Sequence, residues 1–493
     1  MSTSPPHPDY EVVIGLEVHC QLRTASKLFS PAPVSYGEPP NHSVHPVCLA
    51  LPGVLPVLNE RAVEYAVRAA LATNCAVHLH SIFARKNYFY PDLPKGYQIS
   101  QFEEPIATGG FVDVPLGENG DAHVERIRLT RIHMEEDAGK SIHDPAVVGN
   151  DGTHVDLNRA GVPLLEIVSE PDLRSPAAAV AYLRALRSIL RYVNVTDADM
   201  ERGNFRCDAN ISLRPHGSTE LGVRTELKNL NSFRFIEAAI EAEIERQAEI
   251  LDDGGAVVQA TMAFDPPSGR TRVLRLKENS DDYRYFPDPD LVPMVLDSAL
   301  VERVRETLPE LAAARAARFE REYKIAAADA RTLTESRALA EFFEAAMAEH
   351  PEGKALANWI LRDVLRALNE AELEIEQAKL TPAALASLVR LVSEGVTTAK
   401  AARGLVPDLV REGGDPASLV KQRGLEAVRD TGLLEAAVDE VLAASAEDVE
   451  RYRGGEKKVL NFLMGQVMKR TQGKADPGAV RALLARRLDE GGS

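Results

Sequence analysis

The chain has 493 residues, 57 Lys and Arg against 74 Asp and Glu, a formal net charge of −17 and a 45% hydrophobic fraction. Such a length exceeds what one compact core holds, so about two to four domains are expected. The acidic balance argues against a surface coated for nonspecific nucleic-acid binding, and no run approaches the roughly 20 apolar residues of a membrane helix.

Met1 to Tyr10 is polar and Pro-rich and lacks the apolar core of a signal peptide. Four scattered cysteines (Cys20, Cys48, Cys75 and Cys207) are too few to staple the chain, so free thiols in a reducing cytoplasm are expected. Val12 to Leu22 reads as a strand with two chemistries. Ile14, Leu16, Val18, Cys20 and Leu22 share one face. Glu17, His19 and Gln21 share the other, with Glu17 and His19 roughly 7 Å apart along the strand. Buried, such a pair needs partners; an ordinary solvent-exposed face produces the same alternation.

Short β-branched runs then alternate with turns at Pro52-Gly53, Asn87 to Asp92, Gly109-Gly110 and Asp151-Gly152, so the first half reads as sheet-rich α+β. Lys86 and Lys95 flank a turn carrying Tyr88, Phe89, Tyr90 and Tyr97. Packing beneath a loop or stacking on bases accounts for the tyrosines; a surface ion pair or a phosphate contact accounts for Lys86. Arg131 to Asp137 ends in three acids, and alternation lets only one of Glu135 and Glu136 share a given face. Asp156, Asn158 and Arg159 lead into an apolar run that embeds Glu166. Carboxylates with one histidine are ligands for a hard divalent cation, and without one, converging acids raise each other's pKa. Ser175 caps a helix predicted over Pro176 to Tyr192, and a second is predicted from Asn231 through Leu251, closed by Gly254-Gly255. Between them lie the alternating polar sets Arg206 to Asn210 and Glu226 to Asn231.

Beyond Leu296 the chain becomes rich in Ala, Leu, Glu and Arg, and only five aromatics follow Thr332, which predicts a string of short helices. Leu356, Trp359, Ile360, Val364, Leu365 and Leu368 form one helical stripe. Thr381-Pro382, Asp415-Pro416 and Asp476-Pro477 are cap-and-first-residue starts, Gly395 closes one helix, and Ala399 to Asp415 reads as a joint before a small tail. From Arg451 to Ser493, ten Lys and Arg face four Asp and Glu, a local excess of +6. That tail meets phosphates or is a solvated helical face. Ala138 to Ser141 ends like a phosphate-binding loop, but Met134 replaces its first glycine and acids fill it. No His-Glu-x-x-His, strand-borne GxGxxG, GxSxG or cysteine-nucleophile motif is present.

Ordered blocks along nearly the whole chain resemble the GatB/GatE family of glutamine-dependent aminoacyl-tRNA amidotransferases. They are Ile14 to His19, Leu51 to Pro56, Arg85 to Asp92, Glu135 to Lys140, Asp156 to Arg159, Glu166 to Asp172, Arg206 to Asn210, Lys228 to Phe233 and Asp282 to Pro287, and a YqeY-like tail is marked by Gly465 to Lys469. The resemblance implies a catalytic cradle (1–295), a helical domain (296–410) and a tRNA-binding helical tail (411–493). It implies that ATP phosphorylates the side-chain carboxylate of Asp or Glu misloaded on tRNA(Asn) or tRNA(Gln), and that ammonia then displaces the phosphate. Ammonia comes from an amidase (GatA) held by a small third protein (GatC) in a GatCAB heterotrimer, which fits the lack of a glutaminase nucleophile here. The misacylating aminoacyl-tRNA synthetase is a further candidate partner; no membrane is involved.

Carried over residue by residue, Glu17, His19, Glu135, Glu136 and Glu166 are the Mg²⁺ ligand set, with Glu17, His19, Glu136, Glu166 and Lys86 as the catalytic group. Lys95, Asn158, Arg159, Arg206 and Asp208 are expected at ATP or the acyl end, and Arg451, Arg453, Lys457, Lys458, Lys469, Arg470 and Lys474 at tRNA. The family often carries a structural zinc site of four cysteines; here those positions read Ser30, Ala32, His45 and Cys48, so no zinc is expected. Arg202-Gly203-Asn204 stands where the family often has Glu-Gly-Ser. Two rival readings are a noncatalytic tRNA-docking scaffold and a freestanding ligase acting on a small acid.

Overall fold

The computed structural model describes residues 9–117, 123–143, 148–149, 152–230, 232–276, 283–427, 431–471, 475 and 477–490. The chain forms two compact units, dividing between Leu311 and Ala312. The expected α+β class is what the structure has: a large mixed sheet first, helices after it.

The principal strands of the first unit are β1 (Tyr10–Gln21), β2 (Ala84–Asn87), β3 (Tyr97–Ser100), β4 (His123–Glu136), β5 (Pro163–Ser169), β6 (Phe205–Pro215), β7 (Thr225–Leu230), β8 (Ala260–Asp265), β9 (Arg270–Leu276) and β10 (Phe286–Pro287). They run in the order β9-β8-β7-β6-β1-β5-β4-β3-β2-β10; Ala107–Thr108 and Phe111–Leu116 pair with β4, and Ala76–Val77 pairs with Ala107–Thr108, to complete a 13-stranded sheet. Neighbours along this path are antiparallel except β7 and β8. Alternation along β1 holds as read: Ile14, Leu16, Val18 and Cys20 are at most 1% exposed. Helices α1 (Glu60–Ala72), α2 (Pro176–Tyr192) and α3 (Phe233–Asp252) bury their apolar faces in the same core.

Capping chemistry sets the helix starts. Ser175 Oγ accepts the Ala178 N–H at 3.1 Å, so α2 begins and ends where the sequence places it. The α3 helix begins at Phe233, two residues later than expected, because Ser232 takes the cap and accepts the Phe235 N–H at 3.1 Å. Asn231 lies outside the described residues.

In the second unit, Thr381 and Asp415 cap their helices through Ala384 and Ser418. The stripe from Leu356 to Leu368 passes from an α-helix through one π-helical turn (Ile360–Val364) and back, with Leu356, Ile360 and Val364 fully buried. Residues 399–415, read from sequence as a joint, form two short helices whose Leu405, Val406, Leu409 and Val410 enter the core of this helical region. A separate core gathers α4 (Thr431–Ala444), α5 (Ala446–Arg453), α6 (Val459–Arg470) and α7 (Pro477–Glu490) around Val438, Leu463, Val467 and Leu484. No helix among the described residues is long and apolar enough to cross a membrane.

Candidate active site

The polar face of the sheet centre builds the site. Register places His133 of β4 opposite Glu166 of β5, Glu166 opposite His19 of β1, and His19 opposite Arg206 of β6. Four chemically active side chains therefore lie in a row across four strands about 4.8 Å apart. Glu166 Oε2 is 3.3 Å from Nε2 of both His19 and His133. Glu135 joins them, with Oε1 3.9 Å from His19 Nε2 and Oε2 3.7 Å from His133 Nε2, and accepts a 3.2 Å hydrogen bond from Ser100 Oγ.

Alternation decides between the two consecutive acids. His133 and Glu135 face the site, whereas Glu136 shares the core face with Ile132 and Met134. Glu136 is buried there against Lys95 and accepts the Ile99 N–H at 3.0 Å. The structure thus groups His19, Glu135 and Glu166 but does not bring Glu136 to them. His133, which sequence reading passed over, sits at i−2 from Glu135; that spacing was the signal available.

Electrostatics follow from this packing. Burial alone would lower the His133 pKa, but Glu166 and Glu135 outweigh it and raise it to about 9. Burial likewise would raise Glu166, yet the His133 and His19 rings hold it well below the usual carboxylate range. The carboxylate and imidazole donors of His19, Glu135 and Glu166 lie within 4.8 Å of one another, and buried His133 Nδ1 has no hydrogen-bond partner among the described residues. Such a set suits a hard divalent cation.

A second acidic group, Glu17, Asp208 and Glu226, adjoins the first. Burial and the charges of Glu166 and Glu226 push Glu17 upward, and it accepts a 2.9 Å bond from Asn210. The regular register of β6 on β7, with Asn210 opposite Glu226 and Ala209 opposite Leu227, carries Lys228 to the level of Asp208, 2.8 Å from Asp208 and 2.9 Å from Glu226. Arg206 is oriented by a 2.8 Å bond to buried Asp137, which also accepts from Gln21 at 2.7 Å. Lys86 lies 4.9 Å from the Tyr283 ring centroid; burial would lower its pKa, but Glu135, Tyr285 and Glu166 raise it above the ordinary lysine value. His19, Lys86, Glu135, Arg206, Asp208 and Lys228 line one cavity of about 440 Å³.

Other expected residues hold neighbouring parts of the chain. Lys95 is paired with Glu136. Asn158 fastens a loop, accepting the Ser43 N–H and donating to the Pro39 carbonyl, both at 2.8 Å. Arg159 donates to the Ala138 and Gly139 carbonyls and lies 3.7 Å from Asp137, the carboxylate that also holds Arg206, and Asn204 accepts the Asp199 N–H. Cys48 Sγ lies 3.6 Å from buried Lys27 Nζ and 3.7 Å from Ser30 Oγ, beside buried Ala32, while His45 Nδ1 accepts from Val47 N. All four cysteines are free and buried.

In the tail, Arg451 pairs with Asp448 and Glu456, Lys457 with Asp489 and Arg470 with Glu440, while Arg453 donates to the Leu488 carbonyl. Six acids in residues 431–450 cancel the local excess of +6. Lys458 and Lys469 are exposed and make no ion pair with a described residue; Lys474 lies outside the described residues.

Two family models match the chain: a GatB/GatE catalytic domain over residues 12–302 and a GatB domain over 341–488. They define the class, one component of a glutamine-dependent carbon–nitrogen ligase complex. Relatives named as the GatB component of aspartyl/glutamyl-tRNA(Asn/Gln) amidotransferase come from Solidesulfovibrio magneticus (54% identical, covering 97% of this chain and 99% of the relative) and Anaeromyxobacter sp. (54%, 98% and 99%). A third, from Geobacter sp., is 52% identical over 97% of this chain and 99% of its own. The chain belongs to the GatB family of tRNA-dependent amidotransferase components.

Proposed function

We propose that this chain activates the side-chain carboxylate of Asp-tRNA(Asn) or Glu-tRNA(Gln) with ATP, so that ammonia released by a partner amidase converts it to the amide. The observation carrying this reading is the donor row of His19, Glu135 and Glu166, of which His19 and Glu135 line a cavity together with Lys86, Arg206 and Lys228. A carboxylate is a poor acyl donor because oxide would have to leave. Attack of one of its oxygens on the γ-phosphorus, with ADP leaving, gives an acyl phosphate. Ammonia adds to that carbonyl, a proton is lost and inorganic phosphate departs.

A bound Mg²⁺ would be held by His19, Glu135 and Glu166 and would neutralise charge on the transferring phosphoryl group. The chain's own residues supply positioning. Arg206, oriented by Asp137, and Lys228, oriented by Asp208 and Glu226, present fixed cations to the phosphates. Lys86 faces Glu135 and Glu166 as a permanently charged ammonium, suited to orient the incoming carboxylate. Glu17 stands beside this group with a raised pKa and serves as a further acid at its edge.

The same reading assigns residues 1–295 to chemistry, 296–410 to a helical domain and 411–493 to tRNA, with the amidase GatA and the small protein GatC as partners in the cytoplasm. It places no zinc at Ser30, Ala32, His45 and Cys48, where the Lys27 ammonium already faces the one thiol. The test is ADP release by the reconstituted complex without glutamine. Release that depends on misacylated tRNA and disappears in Glu166→Gln, with tRNA binding kept, is expected. Undiminished release in that variant puts the chemistry in a partner and leaves this chain a scaffold; release without tRNA points to a ligase for a small acid.

A further inference from the structure

Lys27 is buried without a counter-charge at hand. Its side chain is 1% exposed, yet Nζ makes no ion pair with a described residue. A buried ammonium is ordinarily paired with a carboxylate. Here Nζ instead donates to Cys48 Sγ at 3.6 Å and to the Leu157 carbonyl at 3.2 Å. Burial lowers the Lys27 pKa against the pull of Cys48, Asp156 and Glu136, so the uncharged amine, with its lone pair, is easier to reach than in an exposed lysine.

Cys48 differs from the other three cysteines in what its sulfur faces. Cys20, Cys75 and Cys207 direct their thiols at the backbone carbonyls of Gln21, Gly109 and Asp208. Burial raises all three pKa values, those of Cys20 and Cys75 to about 12 and about 11. Cys48 Sγ faces the Lys27 nitrogen and, 3.7 Å away, the Ser30 hydroxyl. The backbones behind the pair are fixed: Lys27 N–H donates to the Ala32 carbonyl at 3.0 Å and Cys48 N–H to the His45 carbonyl at 2.8 Å. Gly161, with φ +84°, leaves open the side on which the two groups meet, since a Cβ there would touch Lys27 Cδ at 3.5 Å and Cys48 Sγ at 3.7 Å.

We propose that Lys27 and Cys48 form a covalent modification site, at which hydrogen peroxide drives formation of an S–N bond between Cys48 Sγ and Lys27 Nζ. The peroxide O–O bond breaks as the thiol takes one oxygen, giving a sulfenic acid and water; sulfur loses two electrons and the peroxide gains them. The Lys27 lone pair then attacks Sγ, the S–O bond breaks, and the departing hydroxide takes one amine proton to leave as a second water. A sulfenic acid beside a nitrogen condenses in this way. Two molecules of a thiol reductant restore the amine and the thiol and end as a disulfide. Nζ keeps one N–H for the Leu157 carbonyl. The bond discharges a buried ammonium, holds the sulfur short of the irreversible sulfinic step, and ties the Cys48 turn to the segment after β1.

The full-length chain is treated with hydrogen peroxide, its remaining thiols are alkylated in denaturant, and the digest is read by mass spectrometry beside Cys48→Ser and Lys27→Met. Wild type is expected to give a peptide that joins Lys27 to Cys48, two hydrogens lighter than its parts together, and that dithiothreitol splits. Cys20, Cys75 and Cys207 are expected back as alkylated thiols. The joined peptide is lost in both variants, and in Lys27→Met the Cys48 sulfur goes on to the sulfinic acid. The wild-type digest decides the matter without either variant: Cys48 recovered as a thiol, or as sulfinic acid with no joined peptide, overturns the proposal. Lys27 joined as readily to Cys20, Cys75 or Cys207 also overturns it, because the reaction then owes nothing to the native pairing.

Discussion

Exchanging Glu166 for glutamine, and separately Glu136, tests the consequence of strand alternation at the end of β4. Glu166→Gln keeps the shape but removes the carboxylate 3.3 Å from both His19 and His133. With one ligand of the donor row neutralised, kcat should fall by on the order of 10² or more, the usual cost of losing a preorganised charge at a transition state. Glu136→Gln does something different. The Glu136 and Lys95 side chains are 5% and 10% exposed, so the variant leaves a buried ammonium unpaired. Breaking a buried pair costs about 3–5 kcal/mol, and the low end applies because glutamine still accepts the Ile99 N–H. Turnover per folded molecule should remain close to wild type while the melting temperature drops. The assay is ATP-dependent amidation of Asp- and Glu-tRNA with ammonium chloride, which bypasses the glutaminase, run beside thermal melts of the same complexes. A Glu136→Gln complex that melts normally but loses turnover, beside an active Glu166→Gln complex, would refute the placement of the site.

Three further outcomes are expected. Lys86→Met should lower kcat by about 10²–10³ with little change in ATP Kd, since its ammonium faces the acids rather than an ion-pair partner at the surface; equal effects on both would reassign it to nucleotide binding. Deletion of residues 428–493 removes the tail core whole, whereas a cut at Arg451 would expose Leu434, Val438 and Val441. The whole-core deletion should raise the aminoacyl-tRNA KM without moving ATP Kd, and an unchanged KM ends the tail's tRNA role. Glu243 is fully buried against Arg246, Thr225 and Thr271; burial raises its pKa but these partners outweigh it and lower it below 4.5. Its contribution is therefore complete above about pH 4.5 and lost as pH falls through the lower folded value. Denaturant melts should show Glu243→Gln less stable than wild type at pH 7, with the gap closing in acid; a gap constant with pH contradicts the linkage.

Much of this was legible because it is local. The two faces of β1, the Ser175 cap and the Thr381 and Asp415 starts depend on neighbours within a few residues. Glu135 against Glu136 was also a local question: counting back by two from Glu135 reaches His133, and a histidine facing Glu166 fixes the register. Alternation puts Glu226 and Lys228 on one face, but their place beside Asp208 depends on β7 pairing with β6, a contact between strands that no local pattern specifies. Nor does the sequence reveal that Glu435, Asp439, Glu440 and Asp448 meet cations of the basic tail, since Arg470 reaches Glu440 across the fold of α4 on α6.

The site's precision comes from its position at the centre of the sheet. His133, Glu166, His19 and Arg206 are brought into one row by three strand pairings, and each pairing has a side-chain period of two. A slip of one residue in β1 would turn His19 and Glu17 into the core and bring Val18 and Cys20 onto the polar face. The buried Ile14, Leu16, Val18 and Cys20 therefore do more than stabilise: their alternation excludes every register except those that present the acids and histidines together.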